Sequence, residues 1–136
     1  MKIFKDKLDL NSLKRTEILD ISSKVQKVIN DGEIANGIVN IYSKHSTSAI
    51  VINENEQGLL ADFENFLTSI VPENNNYKHD IIDNNADSHL RSLVLGSSEV
   101  IPFSDKKLAL GTWQSIFFIE LDGPRKRFVE ITIIGE

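Results

Sequence analysis

The run Ile116-Phe117-Phe118-Ile119 constrains the fold more than any other part of this sequence. It shows no polar alternation, and it sits inside a strand candidate from Gln114 to Leu121. A strand of this kind is buried on both faces. A second strand candidate, 127–134, follows the loop Asp122-Gly123-Pro124-Arg125. Asp-Gly signals a hairpin, and Pro124 makes the loop longer than two residues. Whatever covers the two faces of 116–119 defines the architecture. Two covers are open: helices of the same chain, or a neighbouring subunit.

The rest of the chain supplies the other elements. Residues 2–8 and 13–19 alternate and read as strands. Ser22 or Ser23 caps a helix to about Asn30, with Val25, Val28 and Ile29 as its apolar stripe. Asp31-Gly32 is a plausible stop, with Gly32 in a left-handed conformation. The β-branched runs 38–43 and 48–52 read as strands, separated by the polar break Lys44-His45-Ser46-Thr47. Asn53 and Glu56 have capping-box spacing for a helix carrying Leu59, Phe63, Phe66, Leu67 and Ile70 and closed by Pro72. Asp83-Asn84-Asn85 offers caps for a further helix ending at Gly96. Its expected apolar face is Ala86, Leu90, Leu93 and Val94, and His89 falls on the same face. Residues 100–103 form a short strand, and Asp105-Lys106-Lys107 a turn. At 136 residues the chain is one domain.

Composition matters once chemistry is considered. There is no cysteine, which excludes disulfides, thiolate nucleophiles and cysteine metal sites. A net charge of −5 argues against nonspecific nucleic-acid binding. No apolar stretch approaches the ~20 residues that span a bilayer. The charged start Met1-Lys2-Ile3-Phe4-Lys5-Asp6 lacks the apolar core of a signal peptide. The expectation is a cytoplasmic protein with neither nucleic acid nor membrane as partner. Walker, dinucleotide-binding and nucleophile-elbow motifs are absent.

Polar residues gather at the junctions between elements, where scaffolds display functional groups. His45, His79 and His89 can bind a divalent metal through neutral imidazole, with Glu54 or Glu120 as a further ligand or orienter. Capping and surface roles are the commoner ones for such histidines, and His89, on an apolar face, also suits a core position. Ser46, Thr47 and Ser48, or Gly96-Ser97-Ser98, can contact phosphate. Arg125-Lys126-Arg127 is either an anion clamp or a solvated turn. Trp113 can stack on a heteroaromatic ring with Gln114 at its edge, or simply pack in the core.

Taken in order, His45-Ser46-Thr47-Ser48-Ala49-Ile50, Ile52-Asn53-Glu54-Asn55, Tyr77-Lys78-His79, Asn85-Ala86-Asp87-Ser88-His89-Leu90, Leu95-Gly96-Ser97-Ser98, Leu110-Gly111-Thr112-Trp113-Gln114 and Asp122-Gly123-Pro124-Arg125 resemble the YjbQ-like family. That family is also called the secondary thiamine-phosphate synthase family. His45-Ser46-Thr47 departs from its usual His-Thr-Thr but keeps the hydroxyl. The segment Asp80-Ile81-Ile82-Asp83-Asn84 is more apolar than the family pattern.

The resemblance implies an α+β fold with a mixed, mostly antiparallel sheet and about three helices. It implies a homotrimer whose polar motifs converge on one pocket per subunit near an interface. It also implies a transferase joining a hydroxymethylpyrimidine diphosphate to a thiazole phosphate with release of pyrophosphate, or else a metal- or ligand-binding protein in which that activity is incidental. On this expectation His45, His79 and His89 are metal ligands or acid–base groups, and Glu54 is their carboxylate partner. The metal is a divalent ion, zinc or magnesium. Thr47, Ser97 and Arg125 contact the anion, and Trp113 and Gln114 line the ring pocket.

Overall fold

The computed structural model describes residues 1–136. Eight strands and three helices run in the order β1 (Lys2–Asn11), β2 (Glu17–Asp20), α1 (Ser22–Asp31), β3 (Gly37–Tyr42), β4 (Ser48–Asn53), α2 (Gln57–Ile70), α3 (Ala86–Leu95), β5 (Ser98–Ser104), β6 (Lys107–Leu108), β7 (Ser115–Glu120) and β8 (Lys126–Gly135). A short 3-10 turn, Lys78–Ile81, precedes α3. The strands form two sheets, ordered β1-β8-β3-β5-β6 and β2-β7-β4. The expected antiparallel character is complete, since every ladder is antiparallel. This is the expected single-domain α+β architecture.

β7 is the centre of the smaller sheet, and its alternate residues enter two different cores. Ile116 and Phe118 face the large sheet, packing with Val39, Ile101, Ile131 and the α1 residues Val25 and Ile29. Phe117 and Ile119 face the other way, with Ala49 and Leu121, under Leu60 and Phe63 of α2 and Leu95 of α3. The chain's own layers therefore cover both faces of 116–119. A subunit interface is not needed for that burial.

Several local expectations shift. The second strand is confined to Glu17–Asp20, because β1 continues to Asn11 along β8. Gly32 ends α1 at φ −87°, outside the left-handed region. Asn53 belongs to β4, and Glu56 is the cap of α2, its carboxylate accepting from Leu59 N–H. Gly96, at φ 98°, takes the conformation that lets the chain leave α3 directly into β5. The Asp105-Lys106 turn has both residues at positive φ, as a tight hairpin requires.

The largest correction concerns α3, which is rotated from its expected orientation. Of the predicted apolar face only Ala86 is buried, while Leu93 and Val94 are 79% and 63% exposed. The buried side is Asp87, Ser88 and Arg91. Hydrogen bonds dock it. Ser88 Oγ donates to Leu121 O, Ser92 Oγ to Ser48 O, and Arg91 Nε and Nη2 to Val71 O. Arg15 grips the Asp87 carboxylate with two bonds of 3.0 Å. These groups satisfy carbonyls at the ends of β4, β7 and α2 that would otherwise be buried without partners.

Gly37 and Gly135 face each other across β3 and β8. A Cβ on Gly37 would lie 2.0 Å from Ile134 O. Gly37→Ala is expected to cost about 1–3 kcal/mol, the range for overpacking. A lowered urea midpoint at unchanged slope checks this.

Candidate functional site

The register of the smaller sheet decides which motifs meet. Ser48 pairs with Glu120 at one end, and Asn53 with Ser115 at the other. His45 precedes Ser48, and Asp122 and Arg125 follow Glu120, so these share the first end. Glu54 follows Asn53, and Trp113 and Gln114 precede Ser115, so these share the second. The ends are separated by β4, about 17–20 Å at roughly 3.4 Å per residue.

The first end gathers the histidines. A cavity of 420 Å³ is lined by Lys44, His45, Ser46, His89, Ser92 and Ser97, among others. His79 reaches it through His89, the two rings meeting edge to face with centroids 4.9 Å apart. The Lys44–Thr47 turn is held tightly. Ser43 Oγ accepts from His45 N–H and lies 2.6 Å from Ser48 Oγ, which donates to His45 O.

His45 is fixed in two ways by Phe128. Its Nε2 accepts the Phe128 N–H at 3.1 Å, and its ring packs edge-on against Phe128. The neutral ring therefore carries its proton on Nδ1. Burial, and then the positive charge of Arg127, hold its pKa below the ordinary histidine value.

Beneath the turn lies a buried ion pair. Glu120 accepts from Arg127 Nε at 2.8 Å, from Ser12 Oγ at 2.7 Å and from Asp122 N–H at 3.0 Å. Burial pushes the Glu120 carboxyl up, but these bonds together outweigh it and leave the pKa lowered. Arg127 Nη2 also donates to Thr47 Oγ1 at 2.8 Å. Thr47 is buried, and its hydroxyl serves this network instead of lining the cavity, where exposed Ser46 stands in its place.

The other expected residues sort as follows. Ser97 lines the cavity. Arg125 bonds Asp122 at 3.2 Å and is half exposed. Glu54 is apart from the histidines, on an apolar pocket between β4 and α2 with Leu59, Phe63 and Phe117. Trp113 is 72% exposed on the loop before β7, and Gln114 beside it folds back to accept Gly111 N–H. Within one chain no three His, Asp or Glu side chains form a metal-ligating group. His45 has its Nε2 occupied by Phe128, whereas His79 and His89 meet ring to ring.

Two further residues hold this site together through partners far along the chain. Asn85 links His79 to Asp122, and Arg127 links Glu120 to Thr47. By sequence Asn85 suits a helix cap and Arg127 belongs to the basic cluster 125–127. Nothing local to either points to its distant partner.

The family model for UPF0047, YjbQ-like proteins, matches residues 6–136. A UPF0047 protein of Methanothermobacter thermautotrophicus is 49% identical over 136 residues, 100% of this chain and 95% of that protein. The UPF0047 protein YugU of Bacillus subtilis is 32% identical over 94% of this chain and 97% of its own. A crystal structure from Sulfolobus solfataricus, described as a YbjQ-like protein of unknown function, superposes with a TM-score of 0.96 at 39% identity, covering 99% of both chains. An uncharacterized YjbQ/UPF0047 family protein from Clostridium acetobutylicum gives 0.90 at 32% identity, covering 95% of this chain and 99% of that one. No helix here is long and apolar enough to cross a membrane. The chain belongs to the UPF0047 family of YjbQ-like proteins.

Proposed function

We propose that the chain is an enzyme acting on a phosphorylated heteroaromatic compound, with the histidine end as its chemical centre. The finer reading is a transferase of thiamine-phosphate synthase type. The ring nitrogen of a thiazole phosphate attacks the methylene of a hydroxymethylpyrimidine diphosphate. A C–N bond forms, the C–O bond to the diphosphate breaks, and pyrophosphate leaves with the electron pair.

The observation that carries this reading is the cavity where His45 and His89 meet Lys44, Ser46 and Ser97. Its 420 Å³ suits a small ligand, within the usual range of roughly 300–1,000 Å³. A lysine, hydroxyls and imidazole donors are the groups that hold phosphate. His45, with its proton on Nδ1, donates to developing negative charge. The free face of the Arg125 guanidinium is a second anion contact. A divalent ion, zinc or magnesium, would be held by His79 and His89. When bound, it would neutralise charge on the departing pyrophosphate.

In the same reading the functional unit is a homotrimer. Support comes from the separation of the two ends and from the exposed Leu93 and Val94 on α3. Head-to-tail contacts close into a ring, and each brings one end of a copy against the other end of its neighbour. Glu54, Trp113 and Gln114 would then serve a neighbour's histidines as carboxylate partner and ring-stacking wall.

A thermal-shift series with phosphorylated pyrimidines and thiazoles, followed by pyrophosphate-release assay, tests the activity. Ligand at a hundredfold excess over Kd is expected to add about 2.7 kcal/mol of stability. If none of these compounds stabilises the protein, the reading fails. Stabilisation without pyrophosphate release would assign a ligand-binding protein instead. A monomer in sedimentation at micromolar concentration would remove the trimer.

A further inference from the structure

We infer that Asn85 and Asp122 are positioning residues that hold His79 in the Nε2–H tautomer and leave its Nδ1 lone pair free beside His89. The inference rests on the histidine end being the chemical site. It concerns which atom of His79 acts there, a question the cavity alone leaves open.

The starting point is a helix cap that does not cap. Asn85 occupies the N-cap position of α3, yet its side chain makes no capping bond. Asparagine at this position normally accepts from the second or third helical N–H. Here Asp80, from the preceding 3-10 turn, accepts the first helical N–H, that of Ala86, at 2.9 Å. Asn85 is only 7% exposed, and its side chain is spent elsewhere. Its Nδ2 donates to Asp122 Oδ2 at 2.8 Å, and its Oδ1 lies 2.9 Å from His79 Nε2.

The direction of each bond follows from Asp122. A carboxylate can only accept, and Oδ2 already accepts from Arg125 Nη2 at 3.2 Å. The amide nitrogen of Asn85 must therefore point at Asp122, and its carbonyl oxygen at His79. Against a carbonyl oxygen, Nε2 of His79 must be the donor. Its neutral ring then has one lone pair, on Nδ1. Asp122 is itself held, its own N–H donating to the buried Glu120. The relay thus runs from the rigid ion pair to an otherwise exposed ring.

The chemical consequence is a difference between two histidines at one site. His45 accepts through Nε2 and keeps a proton on Nδ1. His79 donates through Nε2 and keeps a lone pair on Nδ1. One supplies a donor, the other a base or a metal-ligating nitrogen. Fixing a ring through its other nitrogen by an amide or carboxylate is how ligating and basic histidines are set.

Long-range nitrogen–proton NMR on the histidine-labelled full chain, at a pH where the rings are neutral and with no substrate or metal added, reads the tautomer directly. The wild-type His79 signal is expected as Nε2–H alone. Asn85→Ala is expected to lose that single-tautomer signature and populate the Nδ1–H form. Asp122→Asn, which lets the Asn85 amide turn over, should do the same if Asn85→Ala does not fold. Asp80→Ala removes the bond to the first helical N–H and not the relay, so it should lower Tm while leaving the His79 signal unchanged. A wild-type His79 in the Nδ1–H or a mixed form would overturn the inference. So would unchanged tautomers in Asn85→Ala or Asp122→Asn, or an Asp80→Ala effect on His79 as large as theirs. Since no substrate is present, this result stands apart from any failure to find pyrophosphate release.

Discussion

Glu120→Ala is expected to lower the unfolding free energy by about 3–5 kcal/mol, the penalty for leaving one member of a buried ion pair alone. That is a large share of the roughly 5–15 kcal/mol that holds a domain together. The effect is large because Glu120 is fully buried and Arg127 is 5% exposed, so water cannot replace the lost carboxylate. The Asp122 N–H loses its acceptor in the same step, and Ser12 Oγ keeps only Arg125 O. Urea unfolding at neutral pH measures it. A cost under 1 kcal/mol would mean the guanidinium finds another partner. Replacing Glu120 and Arg127 together by apolar residues of similar volume should recover much of the loss.

Glu120 and a second buried carboxylate, Asp87, give stability a pH dependence. The Glu120 and Asp87 carboxyls are each raised by burial, but their arginine and backbone partners leave the folded pKa below the ordinary value. A lowered folded pKa means that the unfolded chain binds protons first. Their contribution is complete above the ordinary carboxylate range and disappears as pH falls through the lower folded values. Wild-type stability should therefore drop on acidification, and the Glu120→Ala variant should drop less.

His89→Ala is expected to cut turnover at least about a hundredfold, the lower range for a positioned acid–base group, with the fold intact. His89 is half-buried, and its ring is held by edge contact with His79, so little packing goes with it. The variant tests the site because His89 alone both lines the cavity and touches His79. A pyrophosphate-release assay beside a thermal melt separates the outcomes. Wild-type turnover with an unchanged melt would place the chemistry elsewhere, and a collapsed melt would mark His89 as structural.

Much of the fold was legible along the chain. The β7 and β8 ranges come within a residue or two of their expected limits, since β-branched and aromatic runs bounded by Asp-Gly-Pro admit little else. The faces were less legible. In α3, Leu90, Leu93 and Val94 lie at helical spacing, which suggests an inward stripe, yet Ser88 and Arg91 dock the helix. Hydrophobic period reports a shared face and does not say whether that face or a hydrogen-bonding one meets the sheet. The role of Glu56 in capping α2 was displaced onto Asn53 for a related reason. Asparagine is the commoner cap residue of the two, but the ladder with Ser115 claims Asn53 for β4.

The site divides in the same way. The sequence by itself determined the vocabulary: three histidines, no cysteine, and hydroxyl and carboxylate groups at junctions between elements. It also determined that strand 116–119 must be covered on both faces. Only the tertiary structure decided who meets whom. Antiparallel register sends His45 and Asp122 to one end of the smaller sheet, and Glu54 and Trp113 to the other. The Asn85 bonds then reach across 6 residues to His79 and 37 to Asp122. Contacts at such separations depend on how strands pair and loops return, and no short-range pattern in the chain encodes them.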